Sequence, residues 1–176
     1  AGVAVILGLL NCVGLCCRTY IPQSVEMLSI IAGDTRMPSY EIRVLSGGTE
    51  VEFRGGLRAG CAEEFERVLS AVPQAEVLRI ESPGGRISEA KKMIQLVRKR
   101  GLTTYTSEYC LSAATLVLMS GKERVVVMGA KIGFHAGQFP GATVGQQLEM
   151  DNTVRTTMQS AGVSEEFINR VLATSS

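Results

Sequence analysis

The chain lacks a surplus of either charge. Its 176 residues carry 18 Lys and Arg against 17 Asp and Glu, a formal net charge of +1. A protein that grips nucleic acid presents a basic excess on one face, and this balance argues against that class. The densest basic run, KKMIQLVRKRG, reads as the solvent face and C-terminal end of a helix. Tryptophan is absent, and aliphatic residues and alanine dominate the composition. There is one histidine, His135, so any imidazole base has to be that residue. The motif G-x-x-x-x-G-K-[ST] does not occur, which excludes a P-loop ATPase. A chain of this length supports one domain with a sizeable core.

Charge is missing altogether from AGVAVILGLLNCVGLCC, residues 1–17, and Arg18 follows directly. The stretch is at the short limit for a spanning helix and also fits a signal-peptide apolar region. No A-x-A-like cleavage site follows, so the reading is an uncleaved membrane anchor or signal segment, with a buried core helix as the alternative. The first residue is Ala rather than Met, and the sequence is read as a fragment. Residues 18–39 have no sustained period and read as a connector. Cys12, Cys16 and Cys17 lie in the apolar stretch without a His or carboxylate nearby, so no metal site is expected there.

From Tyr40 onward the pattern is α/β. Ile42 and Val44 alternate on one arm and Val51 and Phe53 on the other, with Gly47-Gly48 between them as a tight hairpin turn. Phe65, Val68, Leu69 and Val72 recur at helical spacing behind acids in the first turn. AEVLRIES is a short strand that runs into SPGG. A helix follows with Ile87, Ala90, Ile94 and Val97 on its apolar face, and Gly101 stops it. LTTYTSE is a strand and SAATLVLMSG a buried helix ended by Gly121. ERVVVMG and AKIGFH are two more short strands. Two closing helices follow, the second capped by Ser164. Alternating strand and helix imply a largely parallel sheet with helices packed on it.

In such a sheet, functional groups gather at the carboxyl ends of strands. SPGG lies at one such end and CLSAA at the next. Gly84 and Gly85 let backbone approach a ligand closely. Ser112 falls at the start of a buried helix, where an ordinary helix cap is the simplest account of it. A serine nucleophile needs a base, and His135 also follows a strand end.

LRIESPGGRISEA, CLSAATLVLMSGKERVVV and GAKIGFHAG follow one another as in the Clp-type serine peptidases of the ClpP/crotonase superfamily. The stretch from Tyr40 to the end resembles that family, most closely its bacterial periplasmic or membrane-anchored members. The resemblance implies a ClpP/crotonase-like domain over residues 40–176. It also implies a serine endopeptidase with Ser112 as nucleophile, His135 as general base, and the N–H groups of Gly85 and Ala113 as the oxyanion hole. It implies peptide or unfolded-protein substrates, a homo-oligomer, no cofactor and no metal, in a periplasmic or membrane-anchored setting.

Relatives often carry a cysteine where Ala114 stands, although the Clp peptidases themselves do not. The triad acid is placed after the last helix, beyond Ser176, with Asp151 as the other carboxylate. Related signal peptide peptidases use a lysine base, for which Lys122 and Lys131 are the alternatives. A catalytically silent binding or assembly protein, and a crotonase-like acyl-CoA enzyme, are the alternative functions. Cys61 and Cys110 both fall near strand ends, where an oxidising compartment would allow a disulfide; two buried free thiols are the alternative.

Overall fold

The computed structural model describes residues 37–137 and 142–174. Residues 1–17, read as an anchor or signal segment, lie outside the described residues, as does the connector up to residue 36. Among the described residues no helix is long and apolar enough to cross a membrane.

The first two strands form the expected hairpin: β1 (Tyr40–Leu45) pairs antiparallel with β2 (Glu50–Gly55). Its turn needs left-handed backbone, and Gly47 and Gly48 supply it with φ of 64° and 97°. From β2 onward the sheet is parallel, through β3 (Val77–Glu81), β4 (Thr103–Thr106) and β6 (Arg124–Val126). The strand order is β1-β2-β3-β4-β6. Two strands form a separate parallel ladder, β5 (Tyr109–Leu111) and β7 (Lys131–Gly133).

β5 was not separable in the sequence from the strand before it. A buried carboxylate marks the break. Glu81, 1 % exposed at the end of β3, accepts hydrogen bonds from Thr106 Oγ1, Ser107 N, Ser107 Oγ, Glu108 N and Tyr109 N. The bend between β4 and β5 is wrapped around that one side chain. Outside the bend, Arg54 of β2 grips Glu108 with two hydrogen bonds of 2.8 and 3.0 Å.

Helices α1 (Cys61–Ala71) and α2 (Ile87–Arg100) pack on the sheet through Phe65, Leu69, Met93 and Val97, all buried against Val51, Phe53, Leu78 and Ile80. Glu89 of α2 accepts a hydrogen bond from Ala62 N and so caps the start of α1. The basic end of α2 behaves as its sequence suggests. Gly101 ends the helix at φ 62°, and Arg100 Nη2 donates to the carbonyls of Leu69, Val72 and Pro73 at the end of α1.

Helix α3 (Ala113–Met119) is buried from Ala113 through Leu118. Helices α4 (Val144–Ser160) and α5 (Glu165–Ala173) close the domain. Ser164 caps α5, its hydroxyl accepting from Phe167 N.

Cys61 and Cys110 are both buried free thiols, the alternative to the disulfide that an oxidising compartment would allow. Cys61 opens α1 with its Sγ 3.8 Å from Glu89 Oε2, whereas Cys110 lies within β5 opposite Ile132.

Candidate active site

Three segments converge at the carboxyl ends of β3, β5 and β7. The first is Ser82-Pro83-Gly84-Gly85. It is stitched to β5 on one side, where Ser82 N donates to Tyr109 O and Leu111 N donates to Ser82 O. On the other side Leu57 N donates to Gly84 O and Arg86 N donates to Leu57 O. Both glycines are left-handed, Gly84 at φ 96° and Gly85 at φ 143°. Space forbids a side chain as firmly as the dihedrals do. A Cβ on Gly84 would stand 2.6 Å from Ser112 Cβ, and one on Gly85 would stand 2.7 Å from Leu57 O.

The second segment is Ser112 itself. It precedes α3 as a helix cap should, but its side chain makes no capping hydrogen bond. Its backbone has φ 55° and ψ −132°, a sparsely populated conformation for a residue with Cβ. The surroundings enforce it. Ser112 N donates to Gly133 O at 2.8 Å, and Ser112 O accepts from Thr115 N and Thr115 Oγ1. The simple capping account is therefore corrected: the hydroxyl is held on a strained turn and left unspent.

Two backbone N–H groups flank this serine. Those of Gly85 and Ala113 have no hydrogen-bond acceptor among the described residues. The positions expected to form an oxyanion hole thus carry unpaired donors.

The third segment carries His135, two residues past β7. Its Nδ1 lies 2.7 Å from Ala136 O. A carbonyl only accepts, so that contact assigns the ring proton to Nδ1 and leaves Nε2 as the acceptor. The loop is pinned at both sides: Ala136 N donates to Thr174 O, and Gln147 Nε2 donates to Gly137 O. Phe134 meets Phe167 edge-on, with ring centroids 5.3 Å apart.

Ser112, Ala113 and His135 line one small cavity of about 20 Å³, closed by Ile87, Leu116 and Val154. That is room for about one water. Among the described residues no hydrogen bond joins the Ser112 hydroxyl to the imidazole. The lysines considered as alternative bases, Lys122 and Lys131, are exposed and do not line this cavity. Asp151 is spoken for, its Oδ1 accepting from Gln147 Nε2 at 2.8 Å.

Two residues of this region were not singled out in the sequence. Glu81 holds the bend that feeds β5 into Ser112. Burial by itself would raise its carboxyl pKa, but the hydrogen bonds from Ser107, Glu108 and Tyr109 hold it below the usual range. Its only sequence signal is an acid at the end of an apolar strand. Arg86, directly after the glycines, has a buried Nη2 without a hydrogen-bond partner among the described residues.

No family model and no curated protein sequence matches the chain. Solved structures do. The ClpP protease catalytic domain from Plasmodium falciparum aligns at 18 % identity with a TM-score of 0.56, over 71 % of this chain and 70 % of that one. ClpP1 from Listeria monocytogenes aligns at 14 % identity with a TM-score of 0.64, over 74 % of this chain and 82 % of that one. The fold is that of the Clp-type serine peptidases. A mutant of the 1510-N membrane-bound stomatin-specific protease aligns at 16 % identity with a TM-score of 0.54, over 69 % of this chain and 67 % of that one. The mixed α/β architecture with a mostly parallel sheet agrees with the fold class expected from the sequence.

Proposed function

We propose that the protein is a serine peptidase acting on peptides or unfolded segments. The observation that carries this is the strained, uncapped Ser112, which shares one cavity with the sole histidine and lies beside two unpaired backbone N–H groups. Ser112 Oγ attacks the scissile carbonyl carbon and its proton passes to His135 Nε2. The carbonyl oxygen becomes an oxyanion that accepts from Gly85 N and Ala113 N. Donors of this kind are each worth roughly 100- to 1000-fold in turnover. Collapse breaks the C–N bond, His135 returns the proton to the leaving amine, and water then hydrolyses the acyl-enzyme by the same route. A fluorophosphonate probe tests the reading. Labelling of the wild-type chain that is lost in Ser112→Ala and reduced in His135→Gln supports it; labelling that survives Ser112→Ala overturns it.

One observation favours a second reading, a catalytically silent member of the fold. His135 Nδ1 is held by a backbone carbonyl, and no carboxylate contacts the ring among the described residues. Absence of labelling on a folded wild-type chain is the result that this reading requires.

Two further proposals concern setting and assembly. Residues 1–17 act as a membrane anchor because they are uncharged and end at Arg18; release of the whole chain by carbonate would refute this. The chain forms a homo-oligomer through β6. That strand is the last of its sheet, and it exposes Val125, Val126 and, just beyond, Met128 at 98 %.

A further inference from the structure

Beside the cavity that holds Ser112 is a much larger one. It lies between α2 and α4, measures about 490 Å³, and is lined by Arg86, Lys91, Glu149, Met150 and Ile87 among others. Ile87 lines both cavities and is the wall between them. Gly137, from the His135 loop, packs on that wall: a Cβ there would stand 2.6 Å from Ile87 Cδ1 and 3.6 Å from Met150 Cβ. A peptide held at Ser112 therefore has this cavity one side chain away, of a size usual for a bound ligand.

The charges around it are unequally satisfied. Lys91 is paired with Glu149 at 2.7 Å. Lys92, also on the lining, is paired with Glu63 at 2.6 Å and Glu89 at 3.3 Å. Glu149 is the one carboxylate on the lining among the described residues, and Lys91 occupies it. Arg86 is left over. Its Nη2 is buried and has no hydrogen-bond partner among the described residues. A buried guanidinium donor without a partner is costly, and native structures rarely keep one without a use. Its backbone position adds to the case. Arg86 precedes the first turn of α2, where the helix dipole also favours an anion. The Glu89 side chain of that turn points instead to Ala62 N and Lys92.

We propose that this cavity is a substrate subsite that receives a carboxylate, bound by the Arg86 guanidinium. The proposal rests on the peptidase reading for the word substrate, and on the cavity and the orphaned donor for the site. The planar fork of arginine pairs with a carboxylate through two parallel N–H···O bonds. Either an acidic side chain near the scissile bond or the terminal carboxylate of a short peptide supplies that group. Arg86 follows Gly85 directly in the chain, so binding there would also bear on the oxyanion loop.

The test uses the full chain and a positional set of internally quenched peptides. Each carries one Glu or its Gln counterpart with an amidated end; a further set has no acid and a free C-terminus. Binding is read by fluorescence anisotropy on Ser112→Ala, and cleavage on the wild type. Glu at one position, or the free terminus, should bind about 10- to 100-fold tighter than its neutral counterpart. Arg86→Met should erase that preference, and Arg86→Lys should restore a part of it. Arg86→Met should melt no lower than wild type, because it removes an unsatisfied donor. Equal binding of acidic and neutral peptides, or a preference that survives Arg86→Met, overturns the subsite. The two failures are distinguishable. Arg86-dependent binding without cleavage keeps the subsite and refutes the peptidase; cleavage without carboxylate preference does the reverse.

Discussion

Gly84 lies directly beneath Ser112. A Cβ on Gly84 would stand 2.6 Å from Ser112 Cβ and 3.1 Å from Ala113 N. The glycine loop and the nucleophile turn thus form one packed unit, in which neither backbone can shift alone. Gly84→Ala should therefore displace Ser112 as well as strain its own φ of 96°. We expect fluorophosphonate labelling to slow by about 100-fold, the usual consequence of misplacing a reacting group by an ångström. Stability should fall by about 2 kcal/mol. Labelling at the wild-type rate would show that the close approach is irrelevant to reactivity.

Glu81→Gln should destabilise the fold by about 3 kcal/mol, because an amide nitrogen would face backbone donors that now meet a carboxylate. The pH dependence has a definite sign. The folded carboxyl of Glu81 titrates below its ordinary value. Its contribution is thus complete above the unfolded value of about 4.3 and is lost as pH falls through the lower folded one. The difference in melting temperature between wild type and Glu81→Gln should shrink on acidification in that window. A difference independent of pH would refute the assignment of charge to Glu81.

The two thiols should be unreactive in the folded protein. Burial, together with the nearby Glu89 carboxylate, pushes the Cys61 thiol up to about 12, and burial also raises that of Cys110. Thiolate is the reactive form, so alkylation at neutral pH should be slow until the chain unfolds. Unfolding without reductant should then expose both to iodoacetamide. Protection of the pair under those conditions would mean a disulfide after all.

Met128→Lys should weaken self-association without slowing Ser112 labelling per chain. The residue is 98 % exposed, so the substitution costs the fold little. Sedimentation velocity of wild type and variant at matched concentrations reads the result. Identical profiles would move the interface away from β6.

The local pattern was sufficient for most of the scaffold. The Gly47-Gly48 hairpin, the helix ended by Gly101 and the Ser164 cap all rest on turn chemistry and period, which act over a few residues. The order SPGG, CLSAA, KIGFH along the chain likewise puts Gly85, Ser112 and His135 after successive strands. Other features required contacts between distant segments. That β5 leaves the main sheet depends on Glu81, which reaches residues 106–109 from another strand. That Ser112 spends no hydroxyl on a cap depends on Gly84 below it and Gly133 beside it. Cys61 and Cys110 both follow strand ends in the sequence, and only tertiary packing decides that they are buried free thiols. The orphaned Arg86 donor is the same kind of fact. A sequence shows that a guanidinium is present, whereas the burial of its Nη2 away from any partner among the described residues is a property of the fold around it.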